Sequence, residues 1–445
     1  MRKKGLLKGA VILTGAGVIC RLLGVLFRIP FSNVVGNYGI GLYQLVFPLY
    51  SLLLIVSSAG IPVAISKMIA RVRDDRFQCR QILFNALVAL LVIGAVISVL
   101  LMVLAKQIAT WQGKPEIWTL YLAIAPAVWL VCMISAYRGY FQGLNNMVPT
   151  AVSQVIEQVV KVAVGLSAAL FLVKTSVLWA VFGAIVAVSV SELVAAVVLF
   201  VIYRVKEKPR RDPHPKAKMF SWAVIKNIFV IAAPIMVMSL AFPVVQLFDS
   251  FFIVNALKHN GVDNATELYG IASGAVHTLI NLPTVVGIAI ATVLLPMVSR
   301  CYKQKSTTEM KKKAGQAVWI TLAFGVACAL GLALLPKLIL NILYHRTFAG
   351  KPEEMATAVL LLRIESVAVL LICLTQVIGS ILQGVDQARW PMWALIAGGA
   401  SKVVFEICLI KRLGIVAVSV ANVLCFAVAL LISGAVLIKF IGKRQ

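Results

Sequence analysis

Residues 9–31 read GAVILTGAGVICRLLGVLFRIPF, an apolar stretch interrupted by Thr14, Arg21 and Arg28. A helix crossing the roughly 30 Å hydrocarbon core of a bilayer needs about 20 such residues. The stretch follows Arg2, Lys3 and Lys4 but runs well past the length of a signal-peptide core and lacks an A-x-A site, so it reads as a retained helix. Thr14, Gly17, Arg21, Gly24 and Arg28 recur at steps of three and four, which puts them on one helical face. At a rise of about 1.5 Å per residue the two arginines stand about 10 Å apart along the axis.

Eleven more apolar runs follow, at about 40–68, 82–105, 118–141, 150–173, 178–202, 222–255, 269–298, 315–336, 357–384, 391–410 and 415–438. The 445 residues are 61% hydrophobic and only 13% charged, with a mean hydropathy of +0.98. A soluble domain carries roughly 45–50% apolar residues, and no water-soluble fold buries such an excess. The eight cysteines lie singly with no CxxC pair, which excludes a disulfide scaffold. The expected fold class is an all-α polytopic membrane protein of about twelve transmembrane helices.

The formal net charge of +26 does not indicate nucleic-acid binding, because the basic residues sit in short loops between apolar runs. With the N-terminus inside, the inner segments hold 26 Lys and Arg and the outer loops nine. That asymmetry places both termini in the cytoplasm. The longest basic loop, RVKEKPRRDPHPKAK at 204–218, carries three prolines and no packing face. It predicts a division into an N-terminal six-helix lobe (1–203), a basic cytoplasmic linker (204–220) that also suits anionic lipid, and a C-terminal six-helix lobe (221–445).

An internal repeat supports the halving. Phe141-Gln142-Gly143-Leu144-Asn145-Asn146 precedes Pro149, and Leu382-Gln383-Gly384-Val385-Asp386-Gln387 precedes Pro391. Lys161 and Lys402 each lie 18 residues beyond the motif glycine. Parallel six-helix repeats are a transporter architecture.

Ionisable groups at bilayer depth are costly and mark cavities or partners. Arg21 lies deep and reads as facing a cavity, where a guanidinium suits bidentate phosphate binding. Arg28, nearer the outer end, either joins it or snorkels to lipid headgroups. Glu157 with Lys161, and Lys402 with Glu406, are spaced to pair on their own helices. Arg363 and Glu365 point to different sides and each needs a partner elsewhere. Glu192 and Asp249 lack a local cation, so both are candidate ion-coupling carboxylates, and Asp249 could instead meet an arginine of the first run. His277 and Asn281 are expected to hydrogen-bond between helices. Gly60 and Pro62 predict a kink or hinge in the second run. Catalytic and nucleotide-binding motifs are absent, so the protein reads as a non-enzyme without cofactor or metal, and transport would draw on an ion gradient, the membrane potential or the substrate's own gradient.

Ile40-Gly41-Leu42-Tyr43-Gln44-Leu45-Val46-Phe47-Pro48-Leu49-Tyr50, then Ser58-Ala59-Gly60-Ile61-Pro62-Val63-Ala64-Ile65-Ser66-Lys67, strongly resemble the stage V sporulation protein B and polysaccharide biosynthesis family of Gram-positive bacteria. The similarity runs on through Tyr137-Arg138-Gly139-Tyr140-Phe141-Gln142-Gly143 and Pro149-Thr150-Ala151-Val152 to Leu282-Pro283 and Leu295-Pro296. The family belongs to the multidrug/oligosaccharidyl-lipid/polysaccharide exporter superfamily, which includes the lipid II flippases. The resemblance implies two six-helix lobes around a central cavity formed largely by the first, second, seventh and eighth helices. Arg21, with Gly24 after it, looks like the cationic residue of that family's first helix, and Arg28 lies close to its second. The candidate substrate contacts are therefore Arg21, Arg28, Gln44, Asp249 and Asn281.

The implied function is a flippase in the bacterial plasma membrane, moving an undecaprenyl-linked saccharide such as a peptidoglycan precursor by alternating access. Its partners would be the lipid-linked oligosaccharide, membrane lipids and cell-wall synthases, with no nucleic acid. A multidrug cation antiporter of the same superfamily and a non-transporting cell-wall assembly factor remain alternatives.

Overall fold

The computed structural model describes all residues except Met1, Ala59, 207–218 and 443–445. Most of the basic linker expected at 204–220 thus lies outside the described residues. Sixteen α-helices make up the described chain, numbered in order: α1 (Arg2–Ser58), α2 (Ile61–Arg71), α3 (Arg76–Trp111), α4 (Trp118–Gly143), α5 (Val148–Leu172), α6 (Val177–Lys206), α7 (Trp222–Ser239), α8 (Ala241–His259), α9 (Ala265–Gly270), α10 (His277–Lys303), α11 (Thr307–Leu334), α12 (Pro336–Leu343), α13 (His345–Phe348), α14 (Pro352–Gly384), α15 (Arg389–Leu413) and α16 (Val416–Gly442). A π-helical turn, Ile271–Val276, joins α9 to α10.

Ten helical segments among the described residues are long and apolar enough to cross a membrane, and a pair bent by 61° (Trp222–Val237 and Phe242–His259) adds an eleventh. The first of the ten, Ile12–Arg71, has 60 residues. A straight helix of that length would reach about 90 Å, three bilayer cores. It breaks at Gly36 (φ 68°, ψ −176°), between the first two apolar runs of the sequence. The protein is an all-α multi-pass membrane protein.

Several breaks have readable causes. Gly60 (φ 77°) caps α2, with Pro62 in that helix's first turn. A side chain at Gly60 would meet a disfavoured backbone and lie 2.6 Å from the Ala232 carbonyl oxygen, so only glycine fits. Pro48 has no N–H for the Gln44 carbonyl four residues back. The Tyr269 hydroxyl donates to that freed oxygen (3.3 Å). The Gln112 side chain donates to the next carbonyl, Leu45 (2.9 Å), and its own amide oxygen accepts from Tyr121 (2.6 Å). The bend between α7 and α8 was not expected from the single run 222–255, which is apolar on both sides of it.

The described chain divides into two units: residues 1–27 with 45–247, and 28–44 with 248–445. In the first unit, α2, α3, α4, α6 and α7 share an aliphatic core including Ile65, Ile69, Leu83, Leu90, Leu199 and Ile228. Asn85, wholly buried in α3, donates to the Met219 carbonyl and accepts from the Ser221 N–H, both at 2.7 Å. That clamp docks the start of α7 on α3. In the second unit, α10, α11 and α14 pack around Leu294, Val298, Met310, Val377 and Ile381.

The internal repeat is also a repeat of backbone. Asn145 (φ 59°) and Asp386 (φ 62°) each take the left-handed conformation two residues after the motif glycine. Matching hydrogen bonds close both helices: Asn145 to Gln142 and Asn146 to Phe141, Asp386 to Gln383 and Gln387 to Leu382. Both are Schellman caps, which satisfy the last helical carbonyls.

Candidate functional site

The first arm of α1 carries the cationic face. Arg21 is exposed, and the positions one turn to either side, Gly17 and Gly24, have open space where a side chain would stand. The helix therefore presents Arg21 on an uncovered strip. Ile19, Leu22 and Leu26 on its other sides are exposed as well. Arg28, in the second unit, is half-buried and lines a narrow hollow with Phe31, Ser32, Tyr43, Gln44, Thr278 and Tyr344. Among the described residues neither guanidinium has a carboxylate partner.

The stretch around Arg28 is fixed within its unit. Asn33 donates to the Leu343 carbonyl (2.7 Å) and accepts from the Thr347 N–H (3.2 Å), while Asn37 donates to Glu354 (2.6 Å). Gln44 donates to the Ser273 carbonyl. Its amide is thus spent on the π-helical turn, although its methylenes share the hollow with Arg28. Packing is closest where the second arm of α1 meets α9. A side chain at Gly270 would lie 2.0 Å from the Asn37 carbonyl oxygen, and one at Gly41 2.2 Å from the Thr266 carbonyl oxygen. Small residues let the two backbones touch.

The helix-local pair of Lys402 and Glu406 forms, and the buried charges also find partners on other helices. Glu157 accepts from Arg138 of α4 (2.9 Å), whose Nε donates to Ser153 (3.1 Å). A guanidinium oriented by a second hydrogen bond is a well-aligned partner for a carboxylate. In the second unit Lys402 is an ion-pair partner of Asp249, with Glu406 at 3.5 Å. Asp249 is therefore not paired with an arginine of the first helix. Lys402, Asp249 and Glu406 are 5%, 8% and 0% exposed. Glu365 is held by a hydroxyl and an amide, Ser419 (2.7 Å) and Asn422 (3.3 Å), while Arg363 is exposed. Ser419 and Asn422 were missed, although polar residues spaced i,i+3 in an apolar run were a readable signal.

Glu192 is buried and accepts from the Tyr50 hydroxyl (3.2 Å), while its second oxygen has no hydrogen-bond partner. Asn281, half-buried on α10, donates to the His277 carbonyl of its own helix (2.9 Å) and not across helices. An amide side chain on a helix can reach back to the carbonyl four residues before it. The structure brings Arg28 and Gln44 to one hollow, puts Asp249 in a charge cluster, and leaves Arg21 alone on its open strip.

The family model for polysaccharide biosynthesis proteins matches residues 6–302, and the MatE model matches 234–407. Among curated relatives from Bacillus subtilis (strain 168), lipid II flippase MurJ is 26% identical over 98% of this chain and 82% of its own length. Stage V sporulation protein B is 27% identical over 79% of this chain and 69% of its own. An uncharacterized membrane protein, YabM, is 29% identical over 94% and 77%. Of solved structures, an inward-facing multidrug resistance MATE family transporter of the MOP superfamily superposes with a TM-score of 0.77 at 17% identity, covering 95% of this chain and 96% of that one. At that identity the likeness shows the fold alone. With a family match spanning well over half of its residues, this chain belongs to the polysaccharide biosynthesis protein family.

Proposed function

We propose that the protein is a flippase for an undecaprenyl-linked saccharide, a lipid II-like precursor of the cell wall or spore cortex, in the bacterial plasma membrane with both termini cytoplasmic. The observation that carries the reading is the open strip of α1, where Arg21 stands between Gly17 and Gly24 with no carboxylate among the described residues to neutralise it. A guanidinium that is neither paired nor covered is a receptor for an anion, and its fork matches the oxygens of a pyrophosphate. Arg28, further along the same helix, would take the headgroup in turn. The lipid tail would stay in the bilayer while access alternates between the two leaflets.

The similarity to a lipid II flippase and a sporulation protein supports this class of substrate. The antiporter alternative needs an accessible acid for a cationic drug, and Asp249 is engaged by Lys402.

A charge-assisted hydrogen bond contributes about 1.5–3 kcal/mol, so Arg21→Ala is expected to slow translocation roughly 10- to 100-fold. The check is lipid II movement across vesicles containing the purified protein, with Arg363→Ala as the control. Arg21→Lys should recover only part of the rate, since a point charge lacks the planar fork. Unchanged transport in Arg21→Ala would remove the anion receptor.

A further inference from the structure

Two carboxylates and one ammonium from helices far apart in sequence are shut together inside the second unit. Asp249 comes from α8, and Lys402 and Glu406 from α15. Burying one such charge costs several kcal/mol, and burying two like charges side by side costs more. Lys402 is the only cation in ion-pair range of either carboxylate among the described residues. It leaves three carboxylate oxygens without a hydrogen-bond partner: Oδ1 of Asp249 and both oxygens of Glu406. These are the atoms a free cation would find if the ammonium were withdrawn.

We propose that this cluster is a monovalent-cation site whose occupant is the protein's own Lys402 side chain. Tethering removes the entropy a free ion would lose on binding and fills the space between the carboxylates at every ion concentration. A free Na+ or K+ then finds no vacancy there, and the cluster keeps the same occupant whichever ion is abundant. If transport is ion-driven, the coupling carboxylate lies elsewhere, and Glu192 in the first unit, with one oxygen unpartnered, is the remaining candidate of the two. The inference does not depend on the transported substrate, because its readout is the folded state and not transport.

The test is thermal unfolding of the full chain in detergent, at matched ionic strength. The wild type should melt at the same temperature in sodium, potassium and choline chloride. Lys402→Ala should melt lower, and n-propylammonium, which replaces the deleted side-chain end, should raise its Tm by several degrees where choline does not. The variant with Lys402, Asp249 and Glu406 all changed to alanine should fold and ignore every cation. A sodium-dependent Tm in the wild type would overturn the proposal. So would Lys402→Ala that gains nothing from propylammonium or sodium, or fails to fold in their presence while the triple-alanine chain folds.

Discussion

Gly270→Val is expected to cost about 3 kcal/mol or more, the upper range for overpacking a well-filled interface. Its new Cβ would lie 2.0 Å from the Asn37 carbonyl oxygen and 2.7 Å from the Gly41 amide nitrogen. Both obstacles are backbone, so no rotamer change relieves them, and α9 would have to back away from the second arm of α1. Thermal unfolding in detergent should show a large fall in Tm or loss of folded yield. The matched control is Gly331→Ala on α11, where an added Cβ meets open space. That change should be neutral or stabilise by up to about 1 kcal/mol, since alanine is the better helix former.

Asp249→Ala should be nearly as damaging for an electrostatic reason. Lys402 is 5% exposed, and without Asp249 its remaining partner stands at 3.5 Å. Breaking a buried ion pair by removing one side costs about 3–5 kcal/mol, and Glu406, which stays within ion-pair range of Lys402, should hold the loss toward the lower end. Denaturant or thermal midpoints will measure it. Arg363→Ala, the loss of an exposed charge, should move the midpoint little.

Much of the fold was legible because the bilayer imposes a length rule on apolar runs. The twelve runs fall on helices among the described residues, ten or eleven segments of which could cross a membrane, and Gly60 with Pro62 marked a real interruption of the backbone. The motifs ending in Asn145 and Asp386 gave matching caps, since asparagine and aspartate tolerate the left-handed conformation that such a turn needs. Hydropathy is blind to a bend with apolar residues on both sides, which is why the 61° turn between α7 and α8 escaped notice. Partner choice was legible only where it was local. Spacing suggested Lys402 with Glu406, which stands at 3.5 Å, but for Glu157 it gave no sign of the tertiary neighbour Arg138. Asp249 and Lys402 are 153 positions apart, and nothing in either neighbourhood names the other. The glycine contact was half legible: Gly270 and Gly274 form a small-xxx-small pair, but its partners Asn37, Ile40 and Gly41 lie in a different run.

The Asn85 clamp separates where the chain is joined from where it comes apart. Because Met219 and Ser221 are fastened to α3, and the first unit extends to Leu247, the basic loop crosses no boundary between units. A polypeptide nicked within 207–218 should therefore stay whole, and the pieces 1–206 and 219–445, made together from separate genes, should co-purify. Asn85→Leu should weaken that reassembly while leaving the uncut chain folded.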